Sequence, residues 1–317
     1  MASSFPCILC GETVRRPLFS VGSARFWCCP ECGLFQMNPL PAWGGTPGCA
    51  PGEDYAGFDL ENYKKFMAEF RIPQYERDLA LLQKHAPGGR LLDIGCGMGE
   101  FLDVAVRGGF RVVGLEPSRT ASEIALRHHP VVRGELGGIE FKAGAFDAAT
   151  AWSVIEHVPA PADFLGKVHA LLAPHGCLAL RVPDVRGLLP ALSLAVYRLS
   201  FKRIDLPLRV LYQLDWHYKH FYGFDRRTIA RLLADNGFEV AAVRSEASFD
   251  YRSLDLRMDY LPFTGATKSA AKSAVKGVLG VVLLLARLLR RQDELVLVAR
   301  KKDMRGTEYC VPFEDLN

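Results

Sequence analysis

Residues 91–101, LLDIGCGMGEF, restrict the fold more than any other stretch of the chain. A short apolar run ends in an acid, glycines follow at 95, 97 and 99, and a helical pattern begins at Glu100. A glycine-rich turn between a strand and a helix lets backbone amides approach a nucleotide-like ligand. The flanks keep the same rhythm. RLLDI (90–94) has strand character, EFLDVAVRGG (100–109) is helical up to a Gly-Gly stop, and FRVVGLE (110–116) is a second strand. SRTASEIALRHH (118–129) is a second helix with Ser118 as its N-cap. This β-α-β-α opening predicts an α/β, doubly wound parallel sheet that binds ligands at the carboxyl ends of its strands.

The loop's chemistry narrows the ligand. The dinucleotide fingerprint G-x-G-x-x-G needs a third glycine where this chain has Glu100, and no Gly-Lys-Ser/Thr follows for a phosphate-binding loop. Carboxylates at Asp93 and Glu100 would repel a pyrophosphate and suit a cationic ligand. Glu116 ends the second strand about twenty residues after the loop, where an acid accepts hydrogen bonds from a ribose. A ribose with a cationic amino-acid tail and no phosphate describes S-adenosylmethionine.

LLDIGCGMGEF with GLEPS resembles the first two motifs of the class I S-adenosylmethionine-dependent methyltransferases. FDAATAWSVIEHVPAPADFL (146–165) is similar to the family's fourth strand and its Glu-His-Val/Leu-x-x-Pro signature. LLAPHGCLALRVPD (171–184) resembles the fifth strand, and ELVLVARKK (294–302) the last. KHFYGFDRRTIARLLADNGFEV (219–240) is similar to a segment of the small-molecule branch that includes ubiquinone-type O-methyltransferases. The resemblance implies a seven-stranded Rossmann-like sheet and methyl transfer to a small-molecule acceptor, on oxygen or carbon. It assigns Asp93, Gly95, Cys96, Gly97, Glu116, Pro117 and Trp152 to the cofactor; the other reading of Trp152 is a core aromatic. His157, just past the fourth strand, and His220, in KHFYGF, are the candidate catalytic bases, because imidazole titrates near neutrality. The other reading of each is a backbone-bonded histidine that orders a lid. Glu156 reads as a tether for a helix start rather than a reacting group.

Ahead of this domain stand two matched knuckles, CILCG (7–11) and CPECG (29–33). Each C-x-x-C turn offers two sulfurs to one ion, and four thiolates satisfy tetrahedral zinc. Cys7, Cys10, Cys29 and Cys32 are the expected ligands, with Cys28 set aside. Four protein ligands leave no open position, so the zinc would be structural. The knuckles resemble the zinc-ribbon head carried by many bacterial members of the family. An odd total of nine cysteines, and an N-terminus (MASSFPCILCG) without a basic-then-apolar leader, lead us to expect a reducing, cytoplasmic setting. The expected organisation is a head at 1–40, a linker and helical cap at 41–86, a methyltransferase domain at 87–302 and a tail at 303–317.

Two insertions stand out. Residues 185–216 are strongly apolar, with Tyr197, Phe201, Tyr212 and Trp216 spaced as if lining a substrate lid. Residues 248–291 contain a helix with six basic residues and no acid from Ala266 to Arg291. At 100° per residue its cations fall within about 140° of arc, opposite Val, Leu and Ala. Such a helix suits an anionic membrane surface; alternatively, its apolar face packs on its own domain. The longest uncharged apolar run, GVLGVVLLLA (277–286), falls well short of the roughly 20 residues that span a bilayer. The net charge of +4 and the few basic residues of the head (Arg15, Arg16, Arg25) disfavour nucleic acid as a partner. The rival readings are a zinc-ribbon RNA methyltransferase, which lacks support from an Asn/Asp-Pro-Pro-aromatic motif, and a non-catalytic cofactor-binding scaffold.

Overall fold

The computed structural model describes residues 4–40, 60–215, 219–248 and 267–302. The linker at 41–59, Trp216 and the tail from 303 fall outside the described residues, as do the side chains of Lys268 and Lys272. The head holds β1 (Phe5–Pro6), β2 (Thr13–Val14), β3 (Pro17–Val21), β4 (Ala24–Cys28) and β5 (Phe35–Met37). The cap follows as α1 (Leu60–Phe66), a π-helical turn at Met67–Arg71 and α2 (Ile72–Gln83). Then come β6 (Gly89–Ile94), α3 (Glu100–Arg107), β7 (Phe110–Glu116), α4 (Arg119–Ala125), β8 (Val131–Arg133), β9 (Phe146–Trp152), α5 (Pro161–Leu171) and β10 (Leu172–Pro183). The chain continues through α6 (Leu188–Leu199), α7 (Leu206–Leu211), β11 (Tyr222–Gly223), α8 (Arg226–Asp235), β12 (Phe238–Glu246), α9 (Thr267–Leu288) and β13 (Glu294–Lys301).

Seven strands form the main sheet in the order β12-β13-β10-β9-β6-β7-β8. Neighbouring pairs from β10 through β8 are parallel, whereas β13 runs antiparallel to both β10 and β12. The expected seven-stranded, doubly wound α/β sheet is therefore present. Parallel strands covered on both faces read as near-continuous apolar runs, and FDAATAW of β9 does so; the antiparallel β13, ELVLVARK, is buried on both faces too and reads the same way. On one face, Leu79 and Leu82 of α2 and Phe101 and Leu102 of α3 pack over Leu91, Val112 and Val296. On the other, Phe164 and Leu165 of α5 and Ile229 and Leu233 of α8 pack over Leu92, Leu178 and Leu297. The strand order reverses between β6 and β9, which opens a crevice at their carboxyl ends.

Three features go beyond the sequence reading. Residues 61–87 have helical periodicity on both sides of Pro73, and the helical structure runs through that proline without a break. Proline has no N–H to donate four residues back, and the widened π turn immediately before α2 accommodates that loss. The aromatics of 185–216 do not share one lining. Tyr197 and Tyr212 are buried against the head, where Phe19 and Phe26 lie 5.0 and 4.6 Å from the Tyr212 ring, while Phe201 is 86% exposed. Finally, β11 completes the head's second sheet, whose order is β11-β5-β4-β3, and the head shares one continuous core with the main domain.

A buried ionic network fastens the cap to the sheet. Arg181 of β10 is fully buried; it donates to Asp78 of α2 at 2.6 Å and pairs with Glu246 of β12 and Glu294 of β13. Arg244 of β12 pairs with Asp78 as well and donates to the Arg77 carbonyl at 3.0 Å. Burial works against the Arg181 charge, but the carboxylates overcome it and hold its pKa above the ordinary arginine value. Removing one member leaves the others charged and unpaired in a dry interior. Arg181→Ala is therefore expected to lower the urea-unfolding free energy by about 3–5 kcal/mol. A loss below about 1 kcal/mol would mean that the surrounding carboxylates are neutral or solvated.

Candidate functional site

The glycine loop sits at the β6–α3 turn, beside the sheet's reversal point. The Gly95 and Cys96 amides donate to the Leu115 carbonyl at 2.7 and 3.2 Å, which ties the loop to β7. Gly95 has φ +73, and a Cβ there would lie 2.7 Å from Val154 Cγ2. Gly97 has φ +57, and a Cβ there would meet nothing within 4 Å, so backbone faces open space. Glycine is the residue both conditions favour. The Cys96 thiol turns the other way, into the core, where it packs against Gly114. The side chain of Cys96 thus does not face the loop's open side.

Two acids bracket this turn. Glu116 accepts from the Gly97 amide at 2.9 Å and the Ser118 amide at 2.8 Å, so its carboxylate shapes both the loop and the entry to α4. Ser118 caps α4 as expected, accepting from the Ala121 amide, with Pro117 half-buried between Glu116 and the cap. Asp93, at the end of β6, is buried and accepts from Thr150 Oγ1 of β9 at 2.6 Å. Burial pushes its pKa up to about 8; Glu116 and Glu100 add to the rise, and the Thr150 hydroxyl opposes it. No short-range signal marks Thr150, because its pairing with Asp93 depends on the register between two strands far apart in sequence.

Trp152 ends β9 on the same face as Thr150. Its ring lies 5.0 Å from Phe101 of α3 and 6.3 Å from Tyr75 of α2, and Arg71 sits over the Tyr75 ring at 5.4 Å. The indole is nearly buried, yet among the described residues its Nε1–H has no partner. A buried donor left unpaired beside a crevice is a point where a ligand can be held. Tyr75 and Arg71 reach the site from the cap helix, a contribution the motif pattern does not indicate.

Past Trp152 the backbone turns sharply. Ser153 adopts φ +56, an uncommon conformation for a residue with a side chain, and the short helical turn Ile155–His157 follows. His157 Nδ1 donates to the Lys219 carbonyl at 2.9 Å, which leaves Nε2 with its lone pair facing Glu156, 3.9 Å away. The His220 ring lies 4.8 Å from that of His157, edge to face. Glu156 lies in the first turn of that short helix, and among the described residues no other residue donates a hydrogen bond to its two buried carboxylate oxygens. Burial pushes Glu156 up to about 8 and His157 down to about 4, and holds His220 well below the ordinary imidazole value. Glu156, His157 and His220 offer three donor atoms within 4.8 Å of one another, a set with room for a proton or a divalent cation.

The other donor cluster lies in the head. The sulfurs of Cys7 and Cys32 are 3.6 Å apart and those of Cys10 and Cys29 3.5 Å, with all four within 4.8 Å. Four thiolates about 2.3 Å from one zinc would be separated by comparable distances. Each knuckle closes through its glycine: the Gly11 amide donates to Cys7 and the Gly33 amide to Cys29. The Cys28 sulfur points instead at the Gly33 and Cys29 carbonyls, outside the cluster.

A family profile described as a methyltransferase domain matches residues 67–243. Among curated proteins, the chain is 36% identical over 102 residues to the mitochondrial ubiquinone biosynthesis O-methyltransferase of Schizosaccharomyces pombe, covering 29% of this chain and 37% of that protein. It is 33% identical over 138 residues to the ubiquinone biosynthesis O-methyltransferase of Caulobacter sp. strain K31, covering 41% and 54%. The chain thus spans about half or less of the length of these relatives. Among solved structures, the cyclopropane synthase MmaA2 of Mycobacterium tuberculosis superposes with a TM-score of 0.51 at 21% identity, over 74% of this chain and 85% of that one. That likeness concerns the fold. The family match takes in more than half of the chain, from the cap helix through the glycine loop and the histidine pair to β12. The chain therefore belongs to the methyltransferase-domain family.

Proposed function

We propose that this enzyme methylates an oxygen nucleophile, such as a hydroxyl, on a small apolar or carrier-linked acceptor held beside His157 and His220. The observation that carries the reading is the buried Glu156–His157–His220 group at the rim of β9, next to the unpaired Trp152 N–H and the Asp93–Thr150 pair. The names of the ubiquinone-type relatives support oxygen over carbon as the receiving atom.

The cofactor fits the crevice on three counts: the open backbone at Gly97, the acids Asp93 and Glu116, and the orphaned indole N–H. Asp93 would hold the cationic amino-acid end, Gly95, Cys96 and Gly97 would approach through their backbone, and Glu116 with Pro117 would meet the ribose. The chemistry supplied there is an electrophilic methyl group on a sulfonium. Transfer is an in-line displacement, so the protein's main contributions are alignment and exclusion of water. A hydroxyl must also lose its proton, and His157 Nε2, left with its lone pair by the Nδ1 bond to Lys219, would take it. A proton arriving on that imidazole and ionisation of Glu156 favour one another across 3.9 Å. In the head, Cys7, Cys10, Cys29 and Cys32 would hold one structural zinc whose role is to fold a piece too small for a core of its own.

Three measurements test these assignments. A carboxyl with a pKa of about 8 is mostly protonated at neutral pH, and pairing with a cation lowers that value. Binding of S-adenosylmethionine should therefore release most of a proton at pH 7, read as a buffer-dependent enthalpy in calorimetry, and the release should fall to about half near pH 8 and fade above about pH 9. Asp93→Asn should abolish the release and weaken binding at least about tenfold, the scale of one charge-assisted hydrogen bond. Unchanged binding in that variant would remove Asp93 from the site.

His157→Ala is expected to lower kcat by about 10²–10⁴ with cofactor affinity intact, assayed first with apolar catechols. A second reading has the same three donors hold a divalent cation, which the two unpartnered Glu156 oxygens favour. Activity abolished by EDTA and restored by Mg²⁺ or Mn²⁺ would select that reading, and indifference to EDTA would select the base.

Metal analysis of the purified chain should find about one zinc, lost in Cys10→Ser together with a large drop in melting temperature. A metal-free chain with wild-type stability would dismiss the zinc site.

A further inference from the structure

The last long helix presents the wrong side to water. On α9 and the residue after it, Val278, Val281, Leu284, Leu285, Leu288 and Leu289 are all exposed, Leu288 by 69%. At 100° per residue they occupy about 140° of one face. The half-buried and buried positions, Leu279, Val282, Leu283 and Ala286, lie on the opposite face, toward the domain and among the cations. Of the two sequence readings, an apolar face packed on its own domain is therefore not the one adopted by the described residues. Helix α6 packs beside α9 and extends the ridge with Leu192, Val196 and Leu199, and the turn after it ends in Phe201, 86% exposed. Scattered surface leucines need no explanation, but a contiguous ridge from two adjoining helices does.

The fringe of the ridge is cationic. Arg198, Lys202 and Arg203 are exposed where α6 ends, and Arg287 and Arg290 where α9 ends, while the Arg291 guanidinium donates to the Arg186 carbonyl at 2.9 Å. No acid occurs between Ala266 and Arg291, and Asp205, next to the α6 cluster, is already paired with Arg209 at 3.0 Å. A second copy docked through this face would set these cations against their own images across a two-fold axis, which opposes self-association. Aliphatic side chains rimmed by arginine and lysine, and free of carboxylates, match the interior and phosphate layers of an anionic lipid surface. No helix among the described residues is long and apolar enough to cross a membrane, so the fit is to lying on a bilayer.

We propose that the α6–α9 face docks on an anionic bilayer, with Leu199, Phe201, Val281, Leu284, Leu285 and Leu288 entering the headgroup region and the flanking cations meeting lipid phosphates. The same insertion that supplies α6 places Tyr212 against His220, with ring centroids 6.2 Å apart, so docking would hold the acceptor side of the active site close to the lipid. The proposal goes beyond methyl transfer and needs no turnover to be tested.

The experiment is co-sedimentation of the full chain with phosphatidylcholine vesicles, with and without about a third phosphatidylglycerol. At low salt the anionic vesicles should bind at least about tenfold more tightly than the neutral ones, with the preference lost near 0.5 M salt, where screening reaches only a few ångströms. Leu284→Ser combined with Leu288→Ser should reduce binding at least about tenfold, because it removes apolar area without changing charge. Unchanged circular dichroism and cofactor calorimetry would confirm that this variant is folded. The proposal is overturned if the wild-type chain stays in the supernatant, or if the double variant binds as well as wild type. A concentration-dependent dimer in light scattering that the double variant dissolves, with no vesicle binding, would overturn it in favour of a second copy.

Discussion

The placement of the cap helix depends on one guanidinium. Arg181 of β10 is fully buried and binds carboxylates from α2, β12 and β13. A well-packed apolar cluster could match such a group for stability, since burying charges is costly. Hydrophobic contacts are tolerant of sliding, however, whereas an ionic cluster of this kind is satisfied in one register. That register sets Tyr75 beside Trp152 and closes α2 over the crevice at the strand reversal. The geometry of the crevice is in this sense inherited from a pairing that lies outside it.

A second dependency runs from the head. Strand β5 pairs with β11 on one edge and with β4, which leads into the second cysteine knuckle, on the other. The residue before β11, Phe221, donates its amide to the Glu156 carbonyl, and His220 precedes it. Sulfur ligands, head sheet and histidine pair therefore form one hydrogen-bonded sequence. The head is an extension of the active-site wall, with Phe19 and Phe26 also gripping Tyr212 of the 185–216 insertion.

What was legible in the sequence was local. The glycine loop, the Ser118 cap, the acid ending the second strand and the paired cysteines are each defined by neighbours a few residues away, and each lies where its pattern implies. Thr150 as partner of Asp93, and Arg181 as the hub of three carboxylates, depend on strand register, which no short window contains. Glu156 lies at a helix start as its short-range pattern implies, whereas the burial of its carboxylate depends on distant residues that no short window contains. The last helix shows a related limit: periodicity identifies two faces but not which one meets the domain. Periodicity likewise marks helix on both sides of Pro73 but not the π turn that joins them.

The joining of β5 to β11 also has a meaning in time. Tyr197 donates its hydroxyl to the Ser20 carbonyl, 177 residues earlier, and β11 lies further along still. A ribosome that has finished the head has therefore made a sheet whose β5 edge is unpaired, and the strand that covers that edge emerges only after most of the main sheet has been translated. Unpaired strand edges invite wrong partners during such a wait. The knuckles at Cys7–Cys10 and Cys29–Cys32 need no downstream residue to come together. Their early closure would hold β4 in place while the chain that must dock against it is still being synthesised.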